Sequence, residues 1–234
     1  MIFDKIYLLG MPDAVKTKLI INFLSKKKIW GDRNFEFITL KTDSYGCAVQ
    51  EAERLNLNVT RIDKDLMYDD LKYLKKEDEN ILLIAIGWSY LIEERVLSLF
   101  NSCINCHGSL LPCYKGNNTY MHCYACLEEE YGMTIHYMNR NFDEGNIVCR
   151  SNIKFFDEET PLIMHRRICE ITAMCLPESI YLVEQGYKGV VQKGISRYFY
   201  KISRDEMNEL HKLNKENLKL GKEIIIPRFS EKIL

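Results

Sequence analysis

Cys103-Ile-Asn-Cys-His-Gly-Ser-Leu-Leu-Pro-Cys-Tyr-Lys-Gly116 decides the reading of this chain. The stretch sets polar, reactive side chains between two apolar runs. Upstream lies Asn80-Ile-Leu-Leu-Ile-Ala-Ile-Gly87, a buried-strand pattern. Downstream lie Gly132-Met-Thr-Ile-His-Tyr-Met138, a second strand pattern, and then Asp143-Glu-Gly145. Alternate side chains of an extended segment share a face. Asn105, His107 and Ser109 are therefore expected to point the same way where a strand hands over to a loop. Leu-Leu-Pro112 ends that strand, because proline cannot continue a central ladder. An amide and an imidazole side by side at a strand's carboxyl end suit charge stabilisation and proton transfer.

Working outward towards the N-terminus, Lys5 to Gly10 reads as a first strand and Asp13 to Lys28 as a helix. Phe35 to Leu40 alternates as a second strand, Tyr45 to Leu55 is a second helix, and Asn58 to Ile62 a third strand. Asp65 to Lys76 is a polar helix or an exposed loop. This βαβαβ rhythm predicts an α/β fold with a Rossmann-like, mostly parallel sheet and helices on both faces. Ligands of such sheets sit at strand carboxyl ends near a switch in strand order, and the motif falls at such an end. The first strand-to-helix turn, Gly10-Met-Pro-Asp13, lacks the Gly-x-Gly-x-x-Gly of dinucleotide sites.

Towards the C-terminus, Thr119 to Glu130 reads as a helix and Asn146 to Lys154 as a strand. Thr160 to Gly186 reads as a long helix opened by Thr160 and Pro161 and kinked or split at Pro177. Arg197 to Lys201 is an aromatic strand pattern, and Lys212 to Lys222 a charged, helical or frayed tail. The organisation expected is a main domain over residues 1–190 and a short strand and helix extension over 191–234.

The 234 residues suffice for one sizeable domain with a small appendage, and 47% hydrophobic residues fit a water-soluble globular chain. A net charge of −1 supplies no global basic field, so nucleic acid is not an expected partner. No run approaches the ~18 apolar residues of a membrane span, so no membrane is expected either. Nine cysteines, an odd number, without a signal-peptide pattern suggest reduced thiols and a cytoplasmic location.

The order Asn105-x-His107-x-Ser109-Leu-Leu-Pro112-x-x-x-Gly116, followed by Asp143-x-Gly145, resembles the folate-dependent formyltransferases. That family includes glycinamide ribonucleotide transformylase, methionyl-tRNA formyltransferase and the nucleotide-sugar N-formyltransferases. The resemblance is strongest from about Ile81 to Val148. It implies Asn105, His107 and Asp143 as catalytic residues, with residues 1–190 as the catalytic domain. Asn105 would donate to an oxyanion, and Asp143 would hold His107 as the imidazolium. The co-substrate implied is 10-formyltetrahydrofolate, without a metal. Its pterin would lie against Gly87, Trp88, Ser89, Tyr90, Leu91 and Ile92 on one side. Met138, Asn139, Arg140 and Asn141 would hold the other side. Substrate contacts are expected from Ser109, Lys115, Gly116 and Asn117.

The acceptor expected is a nucleotide-linked amino sugar, for which the resemblance implies a 4-amino-4,6-dideoxyhexose on dTDP, with a glycinamide ribonucleotide transformylase or methionyl-tRNA formyltransferase-like enzyme as the alternative. The N-terminal turn lacks a glycine-rich phosphate loop, which opposes glycinamide ribonucleotide, and the near-zero charge opposes tRNA. Tyr198, Phe199 and Tyr200 suit stacking on a base or a homodimer interface.

Rival readings attach to the cysteines. Cys103-x-x-Cys106-His107 has the form of a haem attachment pattern. Cys103-x-x-Cys106 with Cys123-x-x-Cys126 falls in the zinc-ribbon spacing window, which would make the chain a zinc-binding interaction module. Cys103 and Cys106 in one strand face opposite sides, so buried hydrophobic cysteines are the preferred reading. Trp88 and Tyr90 have a plain alternative as sheet caps, and Lys115 as a solvated loop lysine. His122, His136 and His165 receive no chemical role.

Overall fold

Alternation of side chains sorts the core into two halves in the computed structural model, which describes all residues except 27–32, 43–44, 77, 157 and 234. The N-terminal half runs β1 (Lys5–Leu9), α1 (Val15–Lys26), β2 (Phe35–Leu40), α2 (Cys47–Arg54) and β3 (Asn58–Ile62). Next come α3 (Met67–Leu74), β4 (Ile81–Ala85), α4 (Glu94–Leu97) and β5 (Ser102–His107). In β1, Ile6 and Leu8 join one buried cluster, while Tyr7 and Leu9 join the other. In β4 the split is Leu82 and Ile84 against Ile81 and Leu83. Helices α1 and α2 cover the first face through Ile20, Ile21, Leu24, Ala48 and Val49. Helices α3 and α4 cover the second through Met67, Leu71 and Val96. Full burial of each large aliphatic side chain contributes about 1.5–3 kcal/mol, so both layers are strongly held. The ends expected for the first helix, Lys27 and Lys28, lie outside the described residues.

The seven-stranded sheet has the order β3-β2-β1-β4-β5-β7-β8, with β7 at Glu130–Tyr137 and β8 at Ile147–Lys154. The strands β3, β2, β1, β4 and β5 pair in parallel, and β7 and β8 close the sheet antiparallel. The strand order reverses between β1 and β4, and the cavity described below opens at their carboxyl ends.

Two expectations of the C-terminal half are corrected. The helix read over Thr119 to Glu130 is only α5 (Thr119–Ala125). Leu127 takes a left-handed φ of 54°, and from Glu130 the backbone is committed to pairing with β8. The long helix is not split at Pro177, and α6 runs unbroken over Pro161–Glu184. Pro177 removes one backbone donor, but buried residues on both sides of it hold the helix to the sheet and to α1. Thr160 caps α6 by accepting from the Ile163 N–H at 3.4 Å.

The segment after residue 190 was expected as one strand and one helix. It contains β9 (Ile195–Phe199), α7 (Arg204–Lys219) and an additional strand, β10 (Phe229–Ile233). These form a second sheet, β10-β9-β6, with the two-residue strand β6 (Lys115–Gly116) from the loop after β5. Helix α7 packs on α5, where Asn214 Nδ2 donates to the Ala125 carbonyl at 2.8 Å. Tyr114 stacks on Phe199 with ring centroids 4.6 Å apart. The extension is thus tied to the loop that follows β5. No described helix is long and apolar enough to cross a membrane.

Candidate active site

A cavity of about 840 Å³ opens where β1, β4 and β5 end, and Asn105, His107 and Asp143 all line it. Asn105 and His107 share a face because both lie in β5, two residues apart. Asp143 comes from the loop between β7 and β8, where it adopts a left-handed φ of 53°. The following residues explain how that conformation is kept. A Cβ on Gly145 would lie 1.7 Å from the Tyr137 carbonyl oxygen, so only glycine lets the loop close against β7. Gln192 Nε2 donates to the carbonyls of Asp143 and Gly145 at 2.9 and 2.8 Å. The Gly116 N–H donates to Asp143 Oδ2 at 3.2 Å, and Gly116 itself is held by pairing with Phe199. The extension therefore sets the position of the carboxylate.

The cluster contains a fourth member. Antiparallel pairing of β5 with β7 places Asn105 opposite His136 and His107 opposite Thr134. His136 Nδ1 meets the Tyr137 carbonyl at 2.8 Å and so carries the ring proton. Its Nε2 is then the acceptor for Asn105 Nδ2 at 3.1 Å. The other amide proton of Asn105 faces Asp143 Oδ1 at 3.4 Å, a longer contact. That second proton is the one that can turn to a bound oxyanion, because its present contact is the weaker.

His107 Nε2 lies 2.7 Å from the Tyr114 carbonyl, and Nδ1 lies 3.5 Å from Asp143 Oδ1. Burial pushes the His107 imidazole below its ordinary value, and it outweighs the opposing pull of Asp143. The resting ring is therefore a neutral base at neutral pH, which corrects the expectation of a standing imidazolium. Asp143 behaves differently. Burial opposes its ionisation, but the charge of His107 once protonated and the Gly116 N–H hold its carboxyl well below the usual carboxylate range. The pair is a neutral base beside a fixed anion, poised to become imidazolium and carboxylate when a proton arrives.

The residues expected around the pterin mostly line this cavity. Gly87, Trp88, Ser89, Tyr90, Leu91 and Ile92 do so from the loop after β4. Met138, Asn139 and Asn141 do so from the loop after β7, while Arg140 is exposed and lies outside the lining. Trp88 packs edge to face on Tyr90 with centroids 5.7 Å apart, and it also packs against the buried cluster covered by α3 and α4. Its buried indole N–H has no acceptor among the described residues, a donor that a bound ligand could satisfy.

Of the expected substrate contacts, Gly116 and Asn117 line the cavity, whereas Ser109 and Lys115 do not. Ser109 is fully buried, and its hydroxyl donates to the Tyr114 carbonyl, which fixes the loop. Lys115 has a buried side chain with Nζ 3.4 Å from Glu144 Oε1, so it supports the Asp143 loop from behind. Tyr198 lines the cavity, but Phe199 is buried between Tyr114 and His122. Cys103 and Cys106 enter opposite core clusters, so they cannot share an ion. Among the described residues no group of three or more His, Cys, Asp or Glu side chains has metal-ligating placement.

Three lining residues were missed by sequence reading. His136 was legible only as one of an alternating pair, Thr134 and His136, because its partner is set by strand register. Lys16 on α1 donates to the Cys106 carbonyl, and His165 on α6 faces the same cavity. No local signal marks either one.

Residues 41–180, which contain the whole Asn105–His107–Asp143 cluster, match the family model described as formyl transferase. The chain belongs to the formyl transferase family. Among curated relatives, a GDP-perosamine N-formyltransferase of Brucella melitensis is 32% identical over 50% of this chain and 46% of its own length. A methionyl-tRNA formyltransferase of Staphylococcus aureus is 30% identical over 58% of this chain and 43% of its own. This formyl transferase chain thus spans about half the length of the curated relatives it matches. In fold it is similar to glycinamide ribonucleotide transformylase 1 of Symbiobacterium toebii, with a TM-score of 0.67 at 20% identity. That match covers 82% of this chain and 94% of the other.

Proposed function

We propose that this chain transfers a formyl group from 10-formyltetrahydrofolate to the primary amine of a nucleotide-linked amino sugar. The observation that carries the reading is the convergence of Asn105, His107 and Asp143 on one cavity in a formyl transferase chain. The amine nitrogen attacks the formyl carbon, and the carbonyl electrons move to oxygen. Asn105 Nδ2 turns a proton from Asp143 to that oxygen and stabilises the charge. Neutral His107 takes the proton released by the amine, and the nearby Asp143 carboxylate stabilises the imidazolium so formed. Collapse of the tetrahedral carbon breaks its bond to the folate nitrogen, which leaves with the proton returned by His107. The products are the N-formyl sugar and tetrahydrofolate, and the atoms balance without a metal.

Trp88, Tyr90, Met138 and Phe142 supply the broad apolar face that a pterin ring needs. The acceptor we favour is a 4-amino-4,6-dideoxyhexose on dTDP, and the relation to a GDP-perosamine N-formyltransferase supports the sugar class. Steady-state assays with dTDP- and GDP-linked 4-amino sugars, glycinamide ribonucleotide and methionyl-tRNA test the reading through absorbance of released tetrahydrofolate. An amino sugar is expected to have the highest kcat/KM. A tenfold preference for glycinamide ribonucleotide or methionyl-tRNA, about 1.4 kcal/mol of transition-state binding, refutes the acceptor assignment.

A further inference from the structure

One row of side chains crosses three strands on the face of the sheet that α1 and α6 cover. Register places Cys106 of β5 opposite Ile135 of β7, and Ile135 opposite Cys149 of β8. Residues directly opposite in an antiparallel pair share a face. Cys106 and Ile135 are buried in the cluster of that face, and Cys149 is half-buried against it. The difference follows from position, because β8 is the last strand of the sheet and β5 is an inner one.

Helix α6 packs on β7 and β8 over this row. Its buried stripe includes Cys169, Thr172, Leu176 and Ser179. Cys175 sits at the margin of the stripe, half-buried, and packs on the same cluster as Cys149. One helical turn on lies Ser179, whose hydroxyl donates to the Cys175 carbonyl at 2.9 Å. The Cys149 sulfur meets both of them, through hydrogen bonds with the Cys175 thiol and the Ser179 hydroxyl. Two thiols from different elements are thus in contact, with access to solvent.

The two thiols are not equivalent. The hydrogen bond with Cys175 is the main influence that holds the Cys149 thiol down, and Ser179 adds to it against burial and the charge of Glu178. Cys175 is pushed up by the same contact and by burial, so it stays the protonated partner. The other cysteines lack this arrangement. Burial pushes up the thiols of Cys103, Cys106, Cys123, Cys126 and Cys169. Cys47 donates to the Asp13 carbonyl at 3.3 Å, and Cys113 is exposed on the loop after β5. An accessible thiolate with a second thiol against it oxidises reversibly, because the second sulfur can close a disulfide before more oxygen is added.

We propose that Cys149 and Cys175 are a redox-modification site, a dithiol that hydrogen peroxide converts to a disulfide tying β8 to α6. The Cys149 thiolate attacks one peroxide oxygen, and the O–O bond breaks. The other oxygen leaves as hydroxide and takes up a proton to give water, so that Cys149 becomes the sulfenic acid. The Cys175 sulfur then attacks the Cys149 sulfur and gives up its proton. The S–O bond breaks, and the departing hydroxide takes that proton to give a second water. Two thiols are oxidised by two electrons in all, and one peroxide is reduced to two waters. The bond constrains the unfolded chain more than the folded one, in which the thiols already meet. The site does not depend on which amine is formylated, since neither thiol lines the cavity.

Hydrogen peroxide added to the folded full chain at neutral pH, then alkylation of the remaining thiols and tryptic mass spectrometry without reduction, tests the site. The expected product joins the peptide of residues 141–150 to that of residues 168–188. The second peptide also holds Cys169, so the variant Cys169→Ala fixes the assignment. The cross-link is expected in wild type, in Cys169→Ala and in the control Cys47→Ser, and dithiothreitol should reverse it. It should be absent from Cys149→Ser and Cys175→Ser, and in Cys175→Ser the Cys149 thiol should go on to the sulfinic acid. Oxidised wild type is expected to melt about 3 °C or more above the reduced protein, a rise that both single variants lose. Sulfinic acid at Cys149 in wild type without the cross-link overturns the proposal. So does a disulfide made through Cys169, or one that forms only in denaturant. Peroxide that leaves both thiols open to alkylation overturns it as well.

Discussion

Replacing Asp143 by Asn removes one charge and leaves the shape of the site nearly unchanged. Asp143 Oδ1 lies 3.5 Å from His107 Nδ1 and 3.5 Å from His136 Nε2, and the carboxylate is buried. At an effective dielectric constant of about 20, a charge pair at that distance interacts by roughly 4–5 kcal/mol, an upper bound on what the imidazolium loses. That corresponds to about a thousandfold in rate, within the range of about 10²–10⁴ for acid–base help. The expected result is therefore a fall in kcat/KM of at least about a hundredfold near pH 7. The pH profile carries a second, independent sign. Burial already lowers the His107 pKa, and Asp143 opposes that fall. Without the carboxylate the pKa falls further, so the acid limb of kcat/KM moves to lower pH in the variant. The assay is absorbance of released tetrahydrofolate with the best acceptor, from about pH 5 to 9, with thermal unfolding alongside. Turnover near that of wild type in a folded variant, or an acid limb that moves to higher pH, refutes the role given to the pair.

Two further outcomes follow from the packing. Gly145→Ala places a Cβ 1.7 Å from the Tyr137 carbonyl, so it should destabilise the protein by about 1–3 kcal/mol and displace Asp143. An unchanged Tm with full activity would show that the loop needs no glycine. His122 is fully buried, and burial pushes it down to about 4 against the opposing pull of the Tyr200 backbone. Its contribution is complete above its unfolded value of about 6.5. As pH falls from there to about 4, the unfolded chain takes up a proton that the folded chain refuses, at a cost of about 1.4 kcal/mol per pH unit. Denaturant unfolding at pH 7.5 and 5 should show a smaller acid loss in His122→Phe than in wild type, and an equal loss would contradict this account.

Strand alternation, turn residues and helix starts are local properties, and much of the fold was legible from them. The βαβαβ half appears where the apolar periods place it, from Lys5 to Ile62. Asn105 and His107 share a face because two residues in a strand always do, and the same rule separates Cys103 from Cys106. The failures came where a non-local contact outweighed a local preference. The helix read through Glu130 gave way to pairing with β8, and Pro177 was absorbed by a helix buried along its length. The two-residue strand β6 exists only because β9 pairs with it.

The sequence alone therefore determined the family resemblance, the mostly parallel α/β architecture and the Asn105, His107 and Asp143 cluster, since these rest on short spacings. The tertiary structure decided what surrounds that cluster. Antiparallel register brought His136 to Asn105, and burial rather than neighbouring charge set the resting state of His107. Ser109 and Lys115 were turned into supports behind the loop, while Lys16 and Arg204, far apart in the chain, came to one cavity. Desolvation and register depend on the whole packed chain, and no window of sequence contains them.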